Sequence, residues 1–462
     1  MLTSRGAAIP LDSLSESKIK ELKQELTVKP EVDSKYQTVA ESYKIFMMSA
    51  KYIYIPRHFI PHDFLTITKK YKDIVSTDIR FDGVLKSSTN QPEAVAAVLE
   101  GFRTQGSGLL SLPTGYGKTT VALYVMCELK YKTLIVVHKE FLMTQWLERI
   151  VQFVPGARVG RIQGNVIDVK DKDIVIGMLQ SLSMKEYDKT VFDGFGLTII
   201  DETHHVCTRT FSKMLMKINT PHMLGLSATL QRKDGLTKVI HWFLGAVLFE
   251  VKRKSQRQVV VECIDFKCNE YHQNTFPLNR ARQPNVPEAI SYVTNIPSRN
   301  QMIFDVISAK LLENRHILVL TDRRQHCIDL DAYYKLSEPE VSTGLYMGGM
   351  KPCDLKKSEE CSVIFATFSL AYEGLDIPVL DTLILATPKS DIVQSVGRIL
   401  RETDGKKNNP CVVDIIDNWG PFQYQYYKRL KYYKDTGFKI NKAKNPTMDE
   451  EECRSYSFVE EF

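Results

Sequence analysis

Short apolar runs punctuate the chain at 109–112, 133–137, 173–177, 197–200 and 223–226, and the segments between them carry apolar residues at helical spacing. Runs this rich in Leu, Ile and Val, with little polar alternation, predict strands buried on both faces. That requires a parallel sheet covered by helices, with ligands taken at the carboxyl ends of the strands. A second series follows at 316–321, 362–367, 382–386 and 411–416, with 259–266 expected as its edge strand. The Lys- and Arg-rich stretch 250–257 reads as a linker, and 269–300 is too polar to assign. The expected fold is α/β, with parallel-sheet domains at 76–250 and 251–445, a small α+β extension at 1–75 and an acidic tail at 446–462.

At the front, Ser13-Leu14-Ser15-Glu16 has the form of a capping box ahead of Ile19, Leu22 and Leu26, which predicts a helix stopped by Pro30. Strands are expected at 52–55 and 64–67. The basic and aromatic mix from Lys51 to Phe59 suits stacking on bases or packing on the next domain, and packing is the preferred expectation. At the far end, 424–444 interleaves tyrosines with Lys428, Arg429, Lys431, Lys434, Lys439, Lys442 and Lys444. Such a face serves nucleic acid, or else it is a docked helix whose lysines stand in solvent.

Composition narrows the class. Of 462 residues, 43% are hydrophobic and 25% charged, which suits ordered domains with large cores rather than a disordered chain. The net charge of +6 fits a polyanionic partner without requiring one. The 9 cysteines include no C-x-x-C pair, which argues against a disulfide framework or a zinc cluster and for a reducing, intracellular compartment. No apolar stretch reaches the roughly 18 residues of a membrane span, and the first residues lack the form of a secretion signal. Neither a membrane nor export is expected.

The chemistry is concentrated after the first apolar run, in Leu112-Pro113-Thr114-Gly115-Tyr116-Gly117-Lys118-Thr119-Thr120. Gly115 and Gly117 permit positive φ, which turns successive N–H groups inward as an anion nest. Lys118 adds a mobile cation and Thr119 a hydroxyl suited to magnesium beside the β- and γ-phosphates. Leu112 stands where the glycine-first form of this loop has its first glycine, so a Gly-rich turn with a surface lysine is the plain alternative. Asp201 and Glu202 directly follow the run 197–200. One carboxylate at a strand end can hold magnesium through water while its neighbour orients and deprotonates an attacking water. His204 and His205 adjoin them without any further Cys or His cluster, which argues against zinc.

Asp201-Glu202-Thr203-His204, Ser227-Ala228-Thr229 and Gln394-Ser395-Val396-Gly397-Arg398-Ile399-Leu400-Arg401, in that order behind the PTGYGKT loop, resemble the motifs of superfamily 2 DExH helicases. Arg232-Lys233-Asp234-Gly235, Arg299-Asn300 and the run Gly374 to Pro378 are similar to the xeroderma pigmentosum group B type, and the overall texture resembles the transcript-release helicases of poxviruses and other large DNA viruses. The resemblance implies two RecA-like domains with ATP and Mg2+ between them. It makes Gln91 an adenine reader, with a helix-cap glutamine as the alternative, and places Gly374 and Asp376 beside the nucleotide. Gln394, Arg398 and Arg401 would complete the catalytic set, with the arginines acting as fingers on the γ-phosphate. His204, Ser227 and Thr229 would couple nucleotide state to domain closure. Nucleic acid, DNA in preference to RNA, would lie along Lys139, Gln180 and Ser181 on one domain and Thr321, Arg323 and Thr367 on the other; Trp146 is expected in the core. Transcription machinery is a candidate partner, a monomer is the preferred expectation, and the place of work is the nucleus or, for a viral protein, a viral factory or virion. A duplex translocase or an ATP-gated clamp that does not unwind are the competing expectations.

Overall fold

The computed structural model describes residues 2–3, 5–31, 41–59, 74–113, 115–203, 208–210, 212–218, 220–228, 234–251, 258–267, 275–373, 375, 377–400, 406, 408–443 and 458–460. The chain forms two compact units, Met1–Arg253 and Lys254–Phe462. The expected strand at 64–67 and the acidic tail around 448–452 lie outside the described residues.

The N-terminal region of the first unit forms an antiparallel sheet of β1 (Leu2–Thr3), β2 (Gly6–Pro10), β6 (Tyr52–Ile55) and β5 (Met47–Met48), together with the pair β3 (Thr27–Val28) and β4 (Tyr43–Lys44) and the helix Glu16–Glu25. Its apolar residues Ile9, Leu22, Leu26, Ile45, Ile53 and Ile55 share a core with Leu109 and Leu134 of the larger sheet that follows. The basic aromatic stretch packs inward. Arg57 is buried and donates to the carbonyls of Thr220 (3.0 Å) and Pro221 (3.3 Å), and Phe59 meets Trp242 edge-on at 4.9 Å. The helix start differs from the expected capping box. Ser15 is the cap, accepting from the Lys18 N–H at 3.2 Å, because Leu11–Ser13 forms a 3-10 turn in which the Ser13 hydroxyl donates to Pro10.

The larger sheet of this unit comprises β7 (Ser107–Ser111), β8 (Thr133–Val137), β9 (Val159–Gln163), β10 (Val166–Ile167), β11 (Ile174–Met178), β12 (Leu197–Ile200), β13 (His222–Ser227) and β14 (Val247–Glu250). Their order across the sheet is β10-β9-β11-β8-β12-β13-β7-β14. All neighbours are parallel except the β9–β10 hairpin. Successive residues of the inner strands feed opposite faces. Leu109, Leu134, Val136 and Val175 enter one core, while Leu110, Ile135, Val137, Ile174 and Ile176 enter the other. That two-sided burial is why the runs lack polar alternation. Each buried aliphatic side chain stabilises the sheet by about 1.5–3 kcal/mol.

The second unit holds β15 (Val260–Phe266), β16 (Ile317–Thr321), β17 (Thr343–Tyr346), β18 (Val363–Thr367), β19 (Thr382–Leu385), β20 (Cys411–Asp417), β21 (Lys439–Ala443) and β22 (Phe458–Glu460) in the order β17-β18-β16-β19-β20-β15-β21-β22. The expected edge strand β15 is interior, paired with β20 on one side and β21 on the other. Sequence missed β21 because Lys439-Ile440-Asn441-Lys442-Ala443 is too polar to look like a parallel strand. Strand β20 is buried throughout despite Asp414 and Asp417. Each carboxylate is met by a bidentate guanidinium: Arg299 reaches Asp417 with two 2.8 Å bonds and Arg429 reaches Asp414 with two more. Arg429 lies on the helix Pro421–Asp435, which docks through Phe422, Tyr426 and Tyr433. The docked-helix alternative for that segment therefore describes its buried face.

Candidate functional site

In the first unit the predicted phosphate loop runs from the end of β7 to the helix Lys118–Leu129. Gly115 and Gly117 take φ of +88° and +80°, the left-handed region that side chains disfavour. Lys118, Thr119 and Thr120 occupy the first three helical positions, whose N–H groups have no partner within the helix and therefore face an anion favourably. The Lys118 amine donates to the Leu112 carbonyl at 3.1 Å. Pro113 and Tyr116 are partly exposed, and Thr114 lies outside the described residues.

Gln91, at the head of the helix Gln91–Thr104, is buried against this loop. Its amide accepts from the Lys86 N–H at 2.9 Å and donates to the Tyr116 carbonyl at 3.1 Å. A Cβ on Gly117 would stand 2.4 Å from the Gln91 nitrogen, so the glycine is needed for close approach as well as for φ. The glutamine thus braces the loop from behind.

Asp201 and Glu202 follow β12, with β13 between that strand and β7. One Asp201 oxygen accepts from Trp146 Nε1 at 2.9 Å and the other from the Glu202 N–H at 3.0 Å. Burial pushes the Asp201 carboxyl above the usual carboxylate range and the Glu202 charge adds to this, while the Trp146 hydrogen bond and the Lys118 charge oppose it. The residue keeps some exposed surface, but its carboxyl is desolvated. Glu202 has φ of +46°, a strained backbone for a residue with a side chain. Thr203 is buried and donates to the Leu226 carbonyl at 2.8 Å, which ties the acidic segment to β13 just before the buried Ser227. Sequence placed Trp146 in the core, where it lies, but gave no sign of its bond to Asp201; Thr203 was visible only as part of the motif. His204 and Thr229 lie outside the described residues.

A paired carboxylate site at a phosphate loop fits a magnesium ion. Among the described residues no group of three or more His, Cys, Asp or Glu side chains could cage a metal. Asp201 and the Thr119 hydroxyl would supply the sparse oxygen donors that suit magnesium when substrate phosphates complete its shell.

Lys139 precedes the helix Glu140–Phe153 at the end of β8, and Gln180 and Ser181 follow β11, the strand beside it. The Gln180 amide donates to the His138 carbonyl at 2.6 Å, and the Ser181 hydroxyl accepts from the Gly164 N–H at 2.9 Å. These residues therefore share one rim of the sheet with the phosphate loop.

The second unit has its own cleft at the carboxyl ends of its strands, about 540 Å³, lined in part by Asp322, Arg324, Thr367, Phe368 and Lys389. Lys389 pairs with Asp322 at 2.8 Å and lies 5.1 Å from the centre of the Phe368 ring. The loop after β16 divides the predicted residues. Thr321 is fully buried with its hydroxyl 2.9 Å from His326 Nδ1, and Arg323 is held by Ser291 and by the carbonyls of Pro287 and Asp322. Of the predicted residues Thr367 reaches the cleft, and from the loop Asp322 and Arg324 line it in place of Thr321 and Arg323. On the helix Val393–Ile399, Gln394 is partly exposed, and Arg398 is buried with Nη1 donating to the Leu375 carbonyl at 2.8 Å. Gly374, Asp376 and Arg401 lie outside the described residues.

Comparison with known proteins adds ancestry to this geometry. Residues 85–232 match the family model described as "Type III restriction enzyme, res subunit". The Acanthamoeba polyphaga mimivirus protein named "Putative ATP-dependent RNA helicase L396" is 33% identical over 457 residues, covering 96% of this chain and 86% of that protein. An African swine fever virus protein named "Putative ATP-dependent RNA helicase QP509L" is 28% identical over 369 residues, covering 73% and 70%. Among solved structures, S. cerevisiae Dbp5 bound to RNA and ADP BeF3 has a TM-score of 0.53 at 13% identity, over 76% of this chain and 88% of that one, a likeness of fold alone.

Proposed function

The chain belongs to the superfamily 2 ATP-dependent helicases of the type found in large DNA viruses, and from that premise we propose that it hydrolyses ATP at the loop and carboxylate pair of its first unit to move along nucleic acid. The observation that carries this reading is the convergence on one sheet rim of Lys118 with its helix N-terminus and of Asp201 with the strained Glu202. Triphosphate oxygens take the first N–H groups of the helix and draw the Lys118 amine from the Leu112 carbonyl. Asp201 and Thr119 are the residues that would hold magnesium, whose charge would offset that developing on the phosphates. Glu202, fixed in direction by its backbone, orients the attacking water and accepts its proton. The helicase resemblance assigns Gln394, Arg398 and Arg401 to the same reaction, and an arginine acting on the γ-phosphate would contribute roughly 10³ to 10⁵ in rate, as it does in other nucleotide hydrolases. Gln91 serves the adenine end while bracing the loop. Gly374 and Asp376 line the nucleotide, and His204, Ser227 and Thr229 pass its state onward.

Strand displacement is the output we assign to that hydrolysis. Lys139, Gln180 and Ser181 on one unit, and Arg324, Lys389 and Thr367 on the other, present cations, an amide and hydroxyls that suit phosphates of DNA or RNA alike. DNA is the substrate we favour, on the group B resemblance. Lys118→Ala is expected to abolish ATP turnover with the thermal melt unchanged, and normal turnover would sink the assignment. ATPase stimulation by single-stranded DNA, duplex DNA and RNA, each followed by a displacement assay, separates unwinding from translocation alone; equal indifference to all three removes nucleic acid from the mechanism.

A further inference from the structure

The helix Pro421–Asp435 presents a second face that the cleft does not use. Its buried side is Phe422, Tyr426, Arg429 and Tyr433, and Arg429 reaches the Lys389 carbonyl at the cleft wall. At 3.6 residues per turn, Tyr424, Tyr427, Lys431 and Lys434 all point within about 40° of the direction opposite Arg429, and Lys428 flanks them. Every one of these is exposed, with Tyr424 at 49% and Tyr427 at 54%. The Lys428 amine lies 4.8 Å from the centre of the Tyr424 ring.

An ordinary solvated helix face in this chain looks different. The helix Glu16–Glu25 mixes Lys18, Lys20 and Lys23 with Glu16, Glu21 and Glu25, and Lys18 pairs with Glu21 at 2.9 Å. On the C-terminal helix the stripe holds three lysines and two exposed aromatic rings, and the one carboxylate of the helix is Asp435 at its last residue. A favourable helix dipole explains Lys434 in the last turn but neither Lys428 nor the tyrosines. Two exposed phenol rings followed by three cations on one face suit a single strand, whose unpaired bases can stack on the rings while its phosphates run along the lysines.

We infer that this outer stripe is an accessory binding site for single-stranded nucleic acid, with Tyr424 and Tyr427 stacking on bases and Lys428, Lys431 and Lys434 meeting phosphates. It spans about 15 Å along the helix, enough for a few nucleotides. Lying opposite the cleft side of the helix, it holds a strand that has left the cleft or not yet entered it. The inference rests on the nucleic-acid reading of the protein, and the experiment separates the two.

Fluorescence anisotropy of labelled oligo-dT, oligo-rU and a duplex of equal length is measured over a salt series for the full chain, for Y424A/Y427A and for K428E/K431E/K434E. All replaced side chains are exposed, so ATPase measured without nucleic acid should be unchanged and reports folding. Loss of stacking should weaken single-strand binding at least fivefold per base, given about 5- to 150-fold for each stacked base, while duplex binding stays within about twofold. The lysine variant should weaken all three probes and flatten the single-strand salt dependence by about 0.7 in log-log slope for each phosphate that is no longer neutralised. Single-strand binding equal to that of the unaltered chain in both variants overturns the accessory site alone. Failure of the unaltered chain to bind any probe overturns the nucleic-acid reading and the site with it.

Discussion

Trp146→Phe isolates one bond at the proposed hydrolytic centre. Trp146 is 2% exposed and its ring belongs to the core formed with Leu142, Met143 and Ile150, so phenylalanine keeps most of the packing and removes only the donor to Asp201. A hydrogen bond to a charged group is worth about 1.5–3 kcal/mol. If that restraint is needed when Asp201 holds the magnesium, its loss lowers kcat by about 10- to 150-fold, at 1.4 kcal/mol per decade. The KM for ATP should hold steady, because the phosphates are gripped by the loop and helix start, whereas the magnesium concentration for half-maximal rate should rise. The smaller ring also costs about 1–2 kcal/mol of stability, which must be kept apart from the chemical effect. Ile150→Val provides the control, a comparable loss from the same core without contact to Asp201. Steady-state ATPase with ATP and magnesium varied independently, beside melts of both variants, decides the matter. A kcat within twofold of the unaltered enzyme, or an equal loss in Ile150→Val, would refute the positioning role.

Glu202→Gln should still bind ATP but hydrolyse it at least 100-fold more slowly in single turnover, since the amide cannot take the proton; undiminished cleavage removes Glu202 from that role. Asp417→Asn leaves Arg299 charged inside the second unit, and chemical denaturation should show about 3–5 kcal/mol lost, whereas R299M/D417L should recover most of it. Acid should unfold the second unit in part through His326, whose pKa burial and the Arg299 charge lower to about 3. Its Nδ1 accepts from Thr321 and its Nε2 donates to Asn300, so the folded ring stays neutral while the unfolded one gains a proton below about pH 6.5. Stability therefore falls as pH drops from 6.5 towards 3, by roughly 2–3 kcal/mol at pH 4.5, and His326→Gln should flatten that slope.

Strands buried on both faces were legible from sequence because five short, largely apolar runs without polar alternation recur between helical segments. Those at 133–137 and 197–200 coincide with β8 and β12 to the residue. Strands β9, β17 and β21 were not legible, since their side chains are partly exposed and their pairing depends on a neighbour rather than on their own pattern. The site followed the same rule. Lys118, Asp201 and Glu202 could be named because backbone geometry at a strand end imposes glycines and carboxylates in a fixed order. The loop after β16 could not be resolved, because which of Thr321, Arg323 and Arg324 turns to the cleft depends on what Ser291, Pro287 and His326 offer from distant segments.

The chain contains two treatments of a desolvated aspartate, and the contrast says which one does work. Asp414 and Asp417 sit inside β20, and the fold gives each a two-pronged guanidinium, with the Tyr433 hydroxyl added to Asp414 at 2.9 Å. Their charge is neutralised in place, and such a pair has nothing left to offer a ligand. Asp201 is desolvated as well, yet among the described residues no arginine meets it: two neutral N–H groups orient its oxygens, and the favourable Lys118 charge is outweighed by burial and by Glu202 beside it. A protein that neutralises two buried carboxylates with arginine has the means to do so for a third. Leaving Asp201 oriented but under-compensated costs stability, and a divalent cation arriving with a triphosphate is the ligand that would recover it.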